Sequence, residues 1–244
     1  MESTSLLKPD SRVIMISGAS RGIGAAIAKK LMTEGYRLSL GVRSPEALQA
    51  SFNQQQLSET LICPFEAQDP ATAYTWVKET HRTYGRIDGL INNAGILRQV
   101  NFETGDESDL DAMWAINVKA PFRLTKLCLP YLREVSNGRI INIASTDGKR
   151  YRDTVSVGYT MVKHALVAMS HATRFAGWDD GVRVTALCPG AVDTDLVANI
   201  PGVTPAGERL SPHLVAAMVS TVLSLPNTAS IAELPINTRL ESSL

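Results

Sequence analysis

Tyr159 and Lys163 stand four residues apart in VGYTMVKHA, a spacing that turns both side chains to one face of a helix. A phenol with an ordinary pKa of about 10 exchanges a proton poorly near neutral pH. An ammonium about 5 Å away, at an effective dielectric of about 20, favours the phenolate by about 3 kcal/mol, or roughly two pKa units. Lys163 is therefore expected to pull the Tyr159 pKa down, and the pair to exchange a proton with a substrate oxygen. Ser145 closes the apolar run RIINIAS, where its hydroxyl can bond the same oxygen and stabilise charge arising there. Thr146 follows it and is the alternative hydroxyl. A second Y-x-x-x-K pair, Tyr74 and Lys78 in YTWVK, shows that the spacing alone means little. No Ser-ended strand leads directly into that segment, so Tyr74 is expected to pack and Lys78 to be solvated.

A different chemistry belongs to ISGASRGIGAAIAKKL, residues 16–31, where Gly18, Gly22 and Gly24 form G-x-x-x-G-x-G. Glycine allows a tight turn and the close approach of a phosphate, while the first N–H groups of the following helix and its dipole favour an anion. A pyrophosphate fits. A P-loop does not, since no Lys-Ser or Lys-Thr pair follows the last glycine. An ordinary glycine-rich strand-to-helix turn is the plainer alternative.

The elements that must carry these groups alternate. Apolar runs rich in Val, Ile and Leu fall at 12–17, 36–41, 60–65, 86–92, 138–144 and 181–187, with a weaker one at 231–236. Segments with helical spacing fall between them at 22–34, 70–84, 106–136 and 157–177. Runs such as RVIMIS carry little polar alternation, as strands buried on both faces do. The order predicts an α/β fold, a doubly wound, mostly parallel sheet of about seven strands with helices on both faces and a ligand crevice at the strands' carboxyl ends. One domain is expected over 1–244. Its loosest stretch is 193–212, DTDLVANIPGVTPAGERLSP, read as a mobile substrate flap.

Composition narrows the partners. The 24 basic and 24 acidic side chains cancel, so no overall field draws in nucleic acid or an anionic membrane, and a small molecule is expected instead. Cys63, Cys128 and Cys188 are odd in number, far apart and set in apolar segments, which suits buried thiols in a reducing compartment. With no signal-peptide pattern at the start and no run of eighteen uncharged apolar residues, a cytoplasmic location is expected. The histidines His81, His164, His171 and His213 lack ligand spacing, and no metal site is expected.

The remaining strand ends read INNAG (91–95), IAS (143–145) and LCPG (187–190), and Asn117 lies in INV. With the glycine turn, Tyr159 and Lys163, these occur in the order and approximate spacing of the short-chain dehydrogenase/reductase family, which the chain closely resembles from about residue 11 to about 196. The resemblance implies hydride transfer between a nicotinamide dinucleotide and a carbonyl or alcohol. Tyr159 then acts as acid/base, Lys163 lowers its pKa and holds the ribose, Ser145 orients the carbonyl, and Asn117 supports a water linked to Lys163. It implies cofactor contacts from Gly18, Ser20, Arg21, Gly22, Ile23 and Gly24, from Asn93, Ala94 and Gly95, and from Pro189, Gly190, Val192 and Thr194, besides Tyr159 and Lys163. Glu66 stands where the family usually has an aspartate at the adenine. The stretch from Ser145 to Tyr159 is one residue longer than usual, and the C-terminal IAELPINTRLESSL departs from the family's glycine-containing strand. A homodimer through 117–136 and 157–177 is expected, and a tetramer is left open.

In dinucleotide-binding folds an acid at the end of the second strand bonds the ribose 2′-hydroxyl of NAD, and an arginine nearby accommodates the 2′-phosphate of NADP. Here Val42 takes the acid's place and Arg43 follows, while Arg21 can approach from the glycine turn. NADP(H) is expected over NAD(H), with NAD(H) still possible. Solvated loop arginines are the alternative for both. The basic stretch GKRYR (148–152) and Arg98 would flank the substrate mouth, either to favour an anionic substrate or simply as a solvated loop. An NAD-preferring dehydrogenase of the same family and a non-catalytic dinucleotide sensor remain as alternatives, the second disfavoured by intact Asn117, Ser145, Tyr159 and Lys163. A sugar epimerase or dehydratase would need additional C-terminal chain.

Overall fold

A computed structural model describes residues 5–152 and 156–240. Of the stretches singled out above, residues 1–4 and 241–244 lie outside the described residues. The apolar runs form β1 (Val13–Ser17), β2 (Arg37–Val42), β3 (Thr60–Pro64), β4 (Gly89–Asn92), β5 (Arg139–Ile143), β6 (Arg183–Pro189) and β7 (Glu233–Ile236). They make one seven-stranded sheet in the order β3-β2-β1-β4-β5-β6-β7. Every neighbouring pair is parallel. The chain builds outward from β1 to β3, then returns to place β4 on the other side of β1, so the order reverses between β1 and β4. At such a reversal the connections leave in opposite directions and open a crevice beyond the strand ends.

The helices are α1 (Gly22–Thr33), α2 (Pro45–Gln49), α3 (Gln54–Ser58), α4 (Pro70–Tyr84), α5 (Glu107–Trp114), α6 (Ala120–Glu134), α7 (Val157–Gly177) and α8 (Pro212–Ser224). Successive strand side chains point to opposite faces of the sheet. Ile14, Ile16, Leu38, Leu40 and Ile141 thus meet Ile27 and Leu31 of α1 and Val215 and Val219 of α8. On the other face Met15, Leu90, Ile140 and Val184 pack on Trp76 of α4 and on Leu124 and Cys128 of α6. Burying both faces explains why these runs show no polar alternation. Trp76 is fully buried. It donates from Nε1 to Ser39 Oγ at 2.8 Å and needs the missing side chain of Gly41, where a Cβ would lie 2.6 Å from its ring.

Two expectations change. Residues 106–136 are helical from Glu107 to Glu134 as expected but not α-helical throughout: a π-helical turn over Ala115–Lys119 lies between α5 and α6. Asn117 in that turn accepts from Ile96 N–H at 2.9 Å and donates to Ile96 C=O at 2.8 Å, which ties the widened turn to the loop following β4. Helix α8, which helical spacing did not mark, begins at Ser211, whose hydroxyl accepts from His213 N–H at 3.2 Å, with Pro212 in the first turn. The proline read as the end of a loose segment is a helix start. A parallel bridge joins Val192, just before 193–212, to Leu210 near its end, and Arg209 Nε donates to Thr204 C=O at 2.8 Å.

The amino ends of the strands do a separate job. Arg12 donates to Leu223 C=O at 2.8 Å, and Arg139 to Leu225 C=O at 2.6 Å. Buried arginines here take carbonyls at and beyond the end of α8, groups a helix leaves without partners. No described helix is long and apolar enough to cross a membrane. The three cysteines are free and buried.

Candidate active site

At the carboxyl ends of the strands lies a cleft of about 270 Å³. The turn after β1 enters it with Gly18 at φ +69° and Gly22 at φ +55°, both in the left-handed region that glycine tolerates best. Gly24 is buried behind them: a Cβ there would sit 2.3 Å from Gly18 C=O. Helix α1 starts without a side-chain cap and without an acid in its first turn. Its leading N–H groups are thus left to whatever the cleft holds, a setting made for an anion. Asn93 braces the turn, donating from Nδ2 to both Ser17 C=O and Gly18 C=O at 3.0 Å. Ser17 Oγ in return accepts from Asn93 N–H at 3.0 Å and Ala94 N–H at 3.1 Å.

After β5 the chain turns sharply. Ser145 Oγ accepts from Asp147 N–H at 3.0 Å and caps a short 3-10 turn over Thr146–Gly148. Gly148 lets this turn lie against α7, since a Cβ would come within 2.7 Å of Lys163 C=O. Helix α7 is started by Ser156, whose hydroxyl accepts from Tyr159 N–H at 3.2 Å. Ser156 Oγ also accepts from Val100 N–H at 3.0 Å, which sets where the tyrosine lies. Ser145, Tyr159 and Lys163 line one end of the cleft. Thr146 is turned away, its Oγ1 accepting from Arg150 at 3.3 Å.

The electrostatics differ from the simple pair argument. The Lys163 ammonium lies 5.4 Å from the Tyr159 ring centroid and donates to Ile143 C=O at 2.9 Å. Burial raises the phenol's pKa well above its ordinary value, Asp147 raises it further, and the Ser145 hydrogen bond opposes both. Desolvation of the phenolate sets the direction, so the pKa lies above its ordinary value and not below it as the pair alone would suggest. Lys163 itself is brought down to about 8 by burial, with Cys188 and Asp147 opposing. The other pair, Tyr74 and Lys78, also stacks, at 4.7 Å, but on an exposed face of α4. Tyr74 is 51% exposed.

A sequence model described as short chain dehydrogenase matches residues 12–202. The chain belongs to the short-chain dehydrogenase family. Among members of this family, agropine synthesis reductase from Rhizobium rhizogenes is 44% identical over 223 residues, 91% of this chain and 51% of that protein. The chain thus spans about half the length of that relative. Levodione reductase from Leifsonia aquatica is 34% identical over 193 residues, 77% of this chain and 72% of that protein. Among solved structures, a short-chain dehydrogenase/reductase from Serratia marcescens superposes with a TM-score of 0.84 at 24% identity, over 95% of this chain and 98% of that one. The 3-ketoacyl-(acyl-carrier-protein) reductase from Brucella melitensis complexed with NADH gives 0.85 at 24%, over 94% and 98%. These two likenesses speak for the fold.

In this short-chain dehydrogenase the residues singled out in the sequence meet in one place. Gly18, Ser20, Arg21, Gly22, Ile23, Arg43 and Glu66 line the cleft's far end, Asn93, Ala94 and Gly95 its middle, and Pro189, Gly190, Val192 and Thr194 the wall beyond β6. Gly24 and Asn117 do not line it. Gly24 gives the turn room, and both ends of the Asn117 amide are taken by Ile96. Val42 is buried at the end of β2, where an acid would bond a ribose, and Arg43 is exposed beside it. Arg21 is paired instead with Asp195 at 3.0 Å, both side chains largely exposed. Sequence reasoning passed over Asp147, which lies between Ser145 and the basic stretch. Its signal was an acid two residues past the strand-ending serine.

Proposed function

We propose that the chain is an oxidoreductase transferring a hydride between NADP(H) and a carbonyl or secondary-alcohol substrate, with Tyr159 exchanging the proton. The observation that carries this reading is the convergence of Ser145, Tyr159 and Lys163 at one end of a cleft whose other end is an uncapped helix start behind a glycine turn. The nicotinamide dinucleotide, when bound, supplies or accepts the hydride. The chain's own residues do the rest. The N–H groups at the start of α1 hold the pyrophosphate, and Arg43, with Val42 in the acid's place, favours a 2′-phosphate.

A phenol whose pKa burial has raised is protonated at neutral pH, the form that gives a proton to a carbonyl oxygen as charge builds there. Ser145 donates to the same oxygen and holds it against the tyrosine. Lys163, still mostly charged near pH 7 with a pKa of about 8, stabilises the phenolate left behind. These roles favour the reductive direction, in line with the reductases named among the relatives. Phe122 on α6 and Met161 and Phe175 on α7 are exposed, which suits a homodimer through those helices.

Calorimetric titration with NADPH and NADH, followed by NADPH consumption on a ketone panel, tests the reading. NADPH is expected to bind ten- to a hundredfold tighter, about 1.4 to 2.8 kcal/mol. Turnover should vanish in Tyr159→Phe and persist in Tyr74→Phe. Equal or tighter NADH binding removes the cofactor preference, and turnover surviving in Tyr159→Phe removes the mechanism.

A further inference from the structure

The basic stretch after the catalytic serine splits into two kinds of arginine and a lysine. Lys149 is bonded to Glu233. Arg150 has a largely buried side chain and holds Asp147 Oδ1 at 2.7 Å. Arg152 is different. It lines the cleft together with Ser145, Asp147 and Tyr159, yet its Nη2 reaches the same Asp147 oxygen only at 3.5 Å, and its Nε is buried with no hydrogen-bond partner. Buried donors without partners are rare in folded proteins, and a guanidinium presents its N–H groups as a flat fork matched to a carboxylate.

The neighbouring cations are placed differently. Arg98 faces Asp109 at 3.5 Å on the exposed surface and does not line the cleft, and Arg21 is paired with Asp195 at 3.0 Å. Among the described residues Arg152 therefore joins three features: a place in the cleft beside the reacting groups, an unused buried donor, and an acid that orients it without saturating it. The rest of that end of the cleft is apolar, with Leu97, Leu196 and Val203.

We propose that Arg152 is the specificity-determining residue of the substrate site and that the substrate is a carbonyl compound bearing a carboxylate, bound by the guanidinium that Asp147 orients. The proposal rests on the carbonyl-reductase reading above. The carboxylate takes the terminal nitrogens of the guanidinium, the apolar side chains cover the intervening carbons, and the carbonyl oxygen lies between Ser145 and Tyr159. Asp147 thus has a double position: it raises the proton affinity of Tyr159 and aims Arg152, so that the group reading the substrate and the group donating to it share one buried acid.

The test uses oxo acids of graded chain length, each beside its methyl ester, with NADPH consumption followed in the wild-type protein, Arg152→Gln and Arg152→Lys. In the wild type, at least one acid is expected to exceed its ester tenfold or more in kcat/KM, about 1.4 kcal/mol, chiefly through KM. Arg152→Gln should bring that acid-to-ester ratio close to one. Arg152→Lys, which keeps the charge and loses the fork, should retain part of it, and its folding can be checked by circular dichroism. Esters reduced as well as acids, or an unchanged ratio in Arg152→Gln, overturns the proposal and leaves the reductase reading standing. No reduction of any acid or ester overturns that reading, and the proposal with it.

Discussion

Gly24→Ala should damage cofactor binding from a position that does not line the cleft. The added methyl would sit 2.3 Å from Gly18 C=O and 2.5 Å from Asn93 Nδ2. Neither is the loose end of a flexible side chain: the first is backbone of the phosphate-facing turn, and the second is held by two hydrogen bonds at 3.0 Å. Overpacking of this kind costs about 1–3 kcal/mol, and each displaced hydrogen bond about 1 kcal/mol. Alanine regains about 1 kcal/mol within the helix, leaving a net loss of about 2 kcal/mol where one of the two bonds is lost. For a chain of this size that is a fall of about 4–8 °C in Tm. The turn must move away from Asn93, so NADPH affinity should fall at least tenfold as well. Gly207→Ala is the control, because a methyl there meets nothing within 4 Å. Urea unfolding and calorimetric titration of both variants give the two readings. Gly24→Ala with wild-type stability and affinity would refute the claim that the turn is held rigid by close packing.

Two further outcomes follow from the same geometry. Arg43→Ala should weaken NADPH binding about ten- to a hundredfold, as loss of a charge-assisted phosphate contact does, and change NADH binding little; a parallel loss for both cofactors in calorimetry would mean that Arg43 does not read the 2′-phosphate. Reductive kcat/KM should fall as pH rises through about 8, where Lys163 loses its charge. The same group has the opposite effect on stability: its pKa is below the ordinary 10.5, so the cost of burying its charge is full below about 8 and is relieved as pH rises toward 10.5. Denaturation curves of the wild type against Lys163→Met across that window check the sign.

The sheet was readable because its strands are buried on both faces, so each apolar run stood out from the polar segments beside it. Helix α8 was harder for the mirror-image reason. HLVAAMVSTVL is apolar nearly all round and rich in valine, which blurs helical spacing, and only Ser211 and Pro212 signal its start. The site's glycines, Ser145, Tyr159 and Lys163 could be found by type and spacing at strand ends. The direction of the Tyr159 pKa could not, because burial and Asp147 set it through the folded environment. Nor could the sorting of the basic stretch: Lys149, Arg150 and Arg152 look alike in sequence, and only the turn after β5 decides which of them meets Glu233, which meets Asp147 and which faces the cleft. Arg21 was drawn to Asp195, 174 residues further on, a pairing that no local pattern carries.

Glu233 lies in β7, at the edge of the sheet, and joins Lys149 to His171 of α7. The turn bearing Ser145 and Asp147 and the helix bearing Tyr159 are therefore both fastened to a strand made after them, through contacts 84 and 62 residues apart. During synthesis the glycine turn has its brace once Asn93 has followed β4, whereas the substrate end waits for β7 to leave the ribosome. A nascent chain stopped short of that strand should hold nucleotide before it can act on a substrate, so that cofactor capture and catalytic competence mature at different times.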